Sequence, residues 1–253
     1  MRVSNRFYIV ILVCFISNYC FGQKLITKEV ELAEDVKITM IYVPIGNFTM
    51  GSPESELERN AEREKQHKVT ITKGFWLAET EFTQAQWEKI MGNNPSLNKA
   101  WNHPVDQVSY NDVQSLLTKI NKEGKSFRLP TEAEWEYACR AGSDKAYVQP
   151  IDDMVWHIGN SGGQLHPVAT KKPNGWGLYD MQGNILEWCS DWFIEDNTNE
   201  STNPKGPKSG THKVQRGGQF TGRTKHTRAA DRQRGLPDDS DFYVGFRLAA
   251  DEI

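Results

Sequence analysis

The chain has 253 residues, of which 38% are hydrophobic and 25% charged, with a formal net charge of −3. This length and apolar share suit one large domain or two small ones and exclude a charge-dominated, unfolded chain. The slightly acidic balance argues against a generic nucleic-acid-binding protein, so no nucleic-acid partner is expected.

Taken in chain order, the first segment reads as a targeting signal. Arg2 and Arg6 precede an unbroken apolar run from Phe7 to Ile16. That run is too short to cross a bilayer comfortably, which takes about 20 residues. "NYCFGQ" follows, with Gly22 and the fairly small Cys20 placed for cleavage before Gln23. The expectation is a signal peptide over residues 1–22, a mature domain over 23–253, and export to the periplasm, the cell surface or the medium. An uncleaved N-terminal anchor is the alternative. A lipoprotein reading of Cys20 fails, because Ser17-Asn18-Tyr19 lacks the small residue wanted before the acylated cysteine. Cleavage removes two arginines and no acid, and leaves no stable membrane span. It also removes Cys14 and Cys20, leaving Cys139 and Cys189. An exported location permits a disulfide between them. Each also sits among aromatic residues and reads equally as a small buried hydrophobe.

"VKITMIYV", Val36 to Val43, alternates and is rich in β-branched residues, which predicts a strand. "GNFTMGS" reads as a turn, Pro53 to Lys68 as a charged loop or frayed helix, and "HKVTITKGFWLAETEFT" as renewed strand. Three helices are marked by their caps. Thr83 to Gln86 and Thr131 to Glu134 are capping boxes, in which a hydroxyl bonds a first-turn N–H and the third residue reaches back. Ser109 caps the helix between them. There Val113, Leu116, Leu117 and Ile120 form one apolar stripe, with Gly124 as its end. Trp135, Ala138 and Cys139 form the buried face of the last helix, which Gly142 stops. Glu132, Glu134 and Glu136 read as cap and surface residues.

After Gly142 the helical period disappears and Gly, Asn, Pro and Trp become frequent. Trp156, Trp176, Trp188 and Trp192 suggest short strands and loops pinned by aromatics. Asp196 to Thr211 is turn-rich and reads as a surface loop. "KVQRGGQF" and "YVGFRLAA" are the last strands, so the class is α+β. Between them, Arg216 to Gly235 carries six Lys/Arg, one His and a single acid, Asp231. Asp152-Asp153 and Asp238-Asp239 read as solvated turns. Asn47-Phe48-Thr49 and Asn199-Glu200-Ser201 match the weak glycosylation sequon.

"FTMGS", "ETEFTQAQWEKIMGNNPS", "HPVDQVSYNDVQ", "FRLPTEAEWEYACRAG", "HPVATKKPNGWGLYDMQGNILEWCSDWF", "RGGQF" and "VGFRLAA" occur in order from Phe48 to Ala250. Together they resemble the formylglycine-generating enzyme, or sulfatase-modifying factor, family. The resemblance implies a modified C-type-lectin-like fold: twisted antiparallel sheets, two main helices and many irregular loops. Oxidase members of that family bind copper through two cysteines and convert a substrate cysteine to formylglycine. The first of these cysteines closes a G-G-S-aromatic-x-Cys pattern. Here Gly222 stands in its place, and the second falls at or near Thr227. Gln219 replaces the serine, and Leu186 replaces the tryptophan of the family's G-N-x-W-E-W motif. Soft Cu(I) wants thiolates, so copper and the family's oxidase activity are not expected.

Two functional readings follow. The first is a non-catalytic binding or assembly domain, a pseudoenzyme. Its pocket would face anions and be lined by Leu186, Gln219, Gly222, Arg223, Lys225, His226 and Arg228, for an acidic glycan or an acidic peptide or protein. Arginine's planar fork of donors matches carboxylate, sulfate and phosphate. The opposing structural reading has Arg216, Arg228, Arg232 and Arg247 tied up in internal salt bridges. The second functional reading is an oxidoreductase of changed chemistry, iron-dependent or formylglycine-generating-like. None of His67, His103, His157, His166, His212 and His226 has close metal-ligand spacing. The resemblance also implies a structural calcium on Asp180, Gly183, Ile185 and Glu187, two carboxylates and two backbone carbonyls of the mixed kind calcium takes.

Overall fold

The computed structural model describes residues 25–122, 125–147, 149–199 and 201–253. The expected signal peptide, Gly124 and the middle residue of the second sequon lie outside them.

In chain order the elements are β1 (Thr27–Ala33), β2 (Val36–Val43), β3 (Gly46–Met50), β4 (His67–Ile71), β5 (Phe75–Ala78), α1 (Gln84–Met91), α2 (Tyr110–Ile120), β6 (Phe127–Arg128), α3 (Glu132–Arg140), the short α4 (Ile151–Met154), β7 (Leu186–Trp192), β8 (Lys213–Arg216), a 3-10 turn (Thr224–Thr227), β9 (Gln233–Gly235), β10 (Val244–Gly245) and β11 (Ala249–Ala250). One sheet has the order β1-β2-β5-β11-β6, a second the order β10-β7-β8-β9, and β3 and β4 form a ribbon. The pairings are antiparallel except β10 with β7, which runs parallel through Val244 and Leu186. The antiparallel sheets implied by the resemblance are thus present, with this two-residue pairing as the exception. The chain reaches β10 by a return loop and not by a hairpin, so nothing forces the direction to reverse.

Both faces of the first sheet are covered, and the alternation along β2 shows how. Ile38 and Met40 enter one apolar cluster, with Phe82, Leu116, Trp188 and Phe246. Ile41 and Val43 enter the other, with Phe75, Trp135, Cys139 and Val214. The apolar stripe of α2 closes the first cluster, and Trp135, Ala138 and Cys139 of α3 close the second.

All three helix starts carry reciprocal caps: Thr83 with Gln86, Ser109 with Asp112 and Thr131 with Glu134. α3 stops where expected, at Ala141 and Gly142, both left-handed. α2 ends at Ile120 because the Asn121 side chain bonds both the N–H and the carbonyl of Phe127 and turns the chain into β6. "GNFTM" is a strand and not a turn, since all five residues lie in register with β4; the turn follows at Gly51. Cys139 and Cys189 are both free and buried. Burial pushes the Cys139 thiol up to about 12 and raises that of Cys189 as well. No helix among the described residues is long and apolar enough to cross a membrane.

Candidate functional site

The Arg216 to Gly235 segment divides into an inward frame and an outward face. Arg216, at the end of β8, is fully buried. It donates to Glu136 of α3 and to the carbonyls of Ala229 and Asp231. Arg228 forks onto Glu64 at 2.6 and 2.7 Å, and reaches Glu56 at 2.7 Å. Arg232 forks onto Glu132 at 2.6 and 2.9 Å. Arg247 forks onto Glu187 at 2.7 Å through both arms. All four expected internal arginines are therefore structural. Arg228 is a correction to the expected pocket: its guanidinium faces the charged segment 53–66, not a ligand. Glu132 and Glu136 are corrected too, because their carboxylates are buried partners of this frame and not surface groups.

Tight backbone geometry sets the outward face. Gly217 and Gly218 both have positive φ, and a Cβ on Gly218 would lie 2.4 Å from the His226 carbonyl oxygen. Only glycine lets the loop double back this closely. Bonds from Phe220 N to Asn184 O (2.9 Å), from Ser161 Oγ to Phe220 O (2.7 Å) and from Ile158 N to Gly222 O (3.0 Å) then pin it. The fold thus brings Leu186, Gln219, Gly222 and His226 into one cavity of ≈ 600 Å³, with Gln215, Gln233 and Tyr243. His226 and Gln233 also border an open polar cleft of ≈ 970 Å³, shared with Lys225, Arg59 and Arg63 and with the acids Glu58 and Asp231. Arg223 is exposed and lines neither. Thr227, at or near the second cysteine position, is buried with its hydroxyl on Thr224 O.

The two cavities are unlike in charge. Arg63 is paired with Glu195. Arg59 donates to Ser52 Oγ and the Glu64 carbonyl, both neutral acceptors. The Lys225 ammonium makes no ion pair among the described residues. His226 Nδ1 is 3.7 Å from Asp231 Oδ1, too far for a hydrogen bond, and is otherwise unpartnered. Arg59, Gln215 and Gln233 escaped the sequence reading. Arg59 is far away in sequence, inside a charged run. Gln215 could have been found from the alternation along "KVQRGG", which sets it on the opposite face from Val214 and Arg216.

The four positions expected to hold calcium fit only in part. Both Glu187 oxygens are engaged, by Arg247 and by Trp135 Nε1 at 2.7 Å, so this carboxylate already has its counter-charge. Asp180 accepts from Ala169 N through Oδ2, and its buried Oδ1 has no partner. Glu81 Oε2, which the sequence did not single out, is likewise buried and unpartnered. Burial pushes Asp180 up to about 6, and burial, then Asp180, drives Glu81 well above the carboxylate range. Gly183 lies against the Trp156 backbone, where a Cβ would approach to 2.1 Å. Ile185 is buried beside it.

A third cavity, of ≈ 580 Å³, lies between the start of α3 and the loop after β7, and Asp191 lines it. Burial, then the neighbouring Glu132, pushes Asp191 up to about 7.

The model of the "Sulfatase-modifying factor enzyme 1-like domain" matches residues 28–252. The chain belongs to this family. As a family member it is 36% identical over 208 residues to the formylglycine-generating enzyme of Mus musculus, an alignment covering 74% of this chain and 54% of that one. The chain therefore spans about half the length of this curated relative. Among solved structures, PvdO from Pseudomonas aeruginosa superposes with a TM-score of 0.80 at 27% identity, over 88% of this chain and 97% of PvdO. Treponema denticola variable protein 1 gives 0.77 at 28% identity, over 90% and 99%. These likenesses establish the α+β fold expected of the family.

Proposed function

We propose that this family member is an exported, non-catalytic binding or assembly domain whose outward loop forms a polar, anion-facing site. One observation carries the reading: the cavity at the loop is lined by Leu186, Gln219, Gly222 and His226, with no thiol. Cys139 and Cys189 are packed into the second apolar cluster instead. Buried thiols with raised pKa values hold their protons and are poor thiolate ligands. Among the described residues no three His, Cys, Asp or Glu side chains converge as metal ligands would, which weighs against the iron-dependent reading. The test is to incubate the purified chain with Cu(I) and a cysteine-containing peptide and follow oxygen uptake. No uptake and no stoichiometric copper are expected; copper-dependent oxygen consumption would overturn the proposal. Export rests on residues 1–22, and N-terminal sequencing of protein recovered from the source cell's exported fraction tests it.

A structural calcium belongs to the same reading, in altered form. Two neighbouring buried carboxyls support it, since Asp180 Oδ1 and Glu81 Oε2 have no partner apart from each other's group. A hard cation there would be held by Asp180 and Glu81 with nearby carbonyls, and Glu187 would stay with Arg247. Chelation should lower Tm and added Ca²⁺ should restore it, with both effects lost in Asp180→Ala; a Tm indifferent to EDTA refutes the site.

A further inference from the structure

The two adjoining cavities differ in a way that distinguishes the two ligands considered for them, acidic glycan and acidic peptide. Three glutamines line the cavity beside Leu186 and Tyr243. Gln215 is only 4% exposed as a residue, and its side-chain amide makes no hydrogen bond among the described residues; the amide atoms are not sealed off but open onto the cavity. An amide on a cavity wall is free to exchange its water for the polar groups of a ligand. Gln233 donates to Asp231 Oδ2 (2.8 Å) and Gln219 to Thr221 Oγ1 (3.2 Å), and the amide oxygen of each remains unpaired. The cavity thus offers acceptors from three amides and free donors from Gln215, next to the Tyr243 ring.

Side by side, amide oxygens and N–H groups suit vicinal hydroxyls, each of which donates and accepts at once. An acidic peptide could meet these amide oxygens only through its spaced backbone N–H groups, its carboxylates being acceptors alone, whereas adjacent ring hydroxyls can meet several amides at once. Across His226 and Gln233 the chemistry changes. Among the described residues Lys225 makes no ion pair and Arg59 donates only to neutral acceptors, while of the acids on the same cleft Asp231 is taken by Gln233 and Arg228 and Glu58 is exposed. A negative group there gains charge-assisted hydrogen bonds.

We propose that the paired cavities bind an acidic saccharide, with a hydroxyl-bearing ring among Gln215, Gln219 and Gln233 and its carboxylate or sulfate reaching Lys225 and Arg59. The proposal rests on the non-catalytic reading above. The test is titration calorimetry of the intact chain with oligogalacturonate, a sulfated heparin-type oligosaccharide, a neutral cello-oligosaccharide and poly-glutamate. Binding of an acidic saccharide is expected, about tenfold or more above the neutral one, and the first two probes tell carboxylate from sulfate. Lys225→Ala should weaken that binding about tenfold and flatten its salt dependence. Gln215→Leu should weaken it by a similar factor with the salt dependence kept. Gln219→Ala, on the half-exposed loop, guards against a folding defect in Gln215→Leu. Poly-glutamate binding as tightly as the uronate, indifferent to both glutamine variants, would overturn the saccharide and leave a binding domain for acidic peptides. Failure of both acidic saccharides to bind at millimolar concentration would overturn the saccharide as well. Copper-dependent oxygen uptake would instead remove the reading beneath it.

Discussion

Arg228 shows what separates a basic residue in a sequence from a basic residue in a site. Its guanidinium meets Glu56, Glu64 and Asp231 with almost no exposure to solvent. Arg228→Met would leave the buried Glu64 carboxylate without its cation. Breaking such a pair from one side costs about 3–5 kcal/mol, a loss readable as a lowered denaturant midpoint. Asp191 makes the opposite case, an acid held without a cation of its own. Its carboxyl sits near 3.8 when unfolded and is pushed up to about 7 in the fold. A raised folded-state value contributes stability in full below the unfolded value and loses it as pH rises through the folded one. The wild-type chain should therefore lose on the order of 2 kcal/mol through this group between about pH 4 and pH 8, after allowance for relaxation around a buried charge. Asp191→Asn keeps an acceptor for the Glu132 N–H and removes the titration. Its Tm advantage over wild type should grow with pH across that window, and equal Tm differences at both ends would refute the assignment.

At the scale of elements, local chemistry was legible wherever it closed on itself within a few residues. The three caps, the apolar stripe of α2 and the stop at Ala141–Gly142 all follow from side chains meeting backbone within one turn. Thr131→Ala should accordingly cost about 1 kcal/mol, from the lost bond to the Glu134 N–H, measured by chemical denaturation. What stayed hidden was settled across the chain. The strand at Gly46–Met50 exists because β4 lies beside it, and the parallel register of β10 exists because the return loop delivers it so. The site divides in the same way. The hinge at Gly217–Gly218 was visible as a glycine pair, and the family's motif order located the loop around it. Which of its two expected roles Arg228 takes, internal salt bridge or pocket, and that Arg59 joins Lys225 from the far side of the cleft, depend on where segment 53–66 lands. Gly218→Ala tests the hinge: its strained φ and the contact with His226 O should destabilise the fold and displace His226, read as a change in the histidine's NMR shift.

For the whole molecule, the guanidinium frame is what holds an irregular half together. Segment 53–66 has no regular secondary structure, yet Arg228 and Arg232 fasten it to the C-terminal half through Glu56, Glu64 and the Arg63 carbonyl. Burial works against the Glu64 charge, but hydrogen bonds from Arg228, Asn60 and Ser52 outweigh it and leave the carboxyl below its ordinary value. A depressed carboxylate contributes stability above its unfolded value and loses it as pH falls through the folded one. Segment 53–66 should thus become the first site of pepsin cleavage on acidification, ahead of the sheets, and uniform cleavage across the chain would contradict this. Because the frame's charges are satisfied inward, the side chains of Gln219 and Lys225 carry little of the folding energy. The loop behaves as a replaceable faceplate on a fixed chassis. Exchanging Gln219 and Lys225 should change what the proposed site binds while the melting behaviour stays nearly constant, so one scaffold of this kind could diversify its recognition at small cost to its fold.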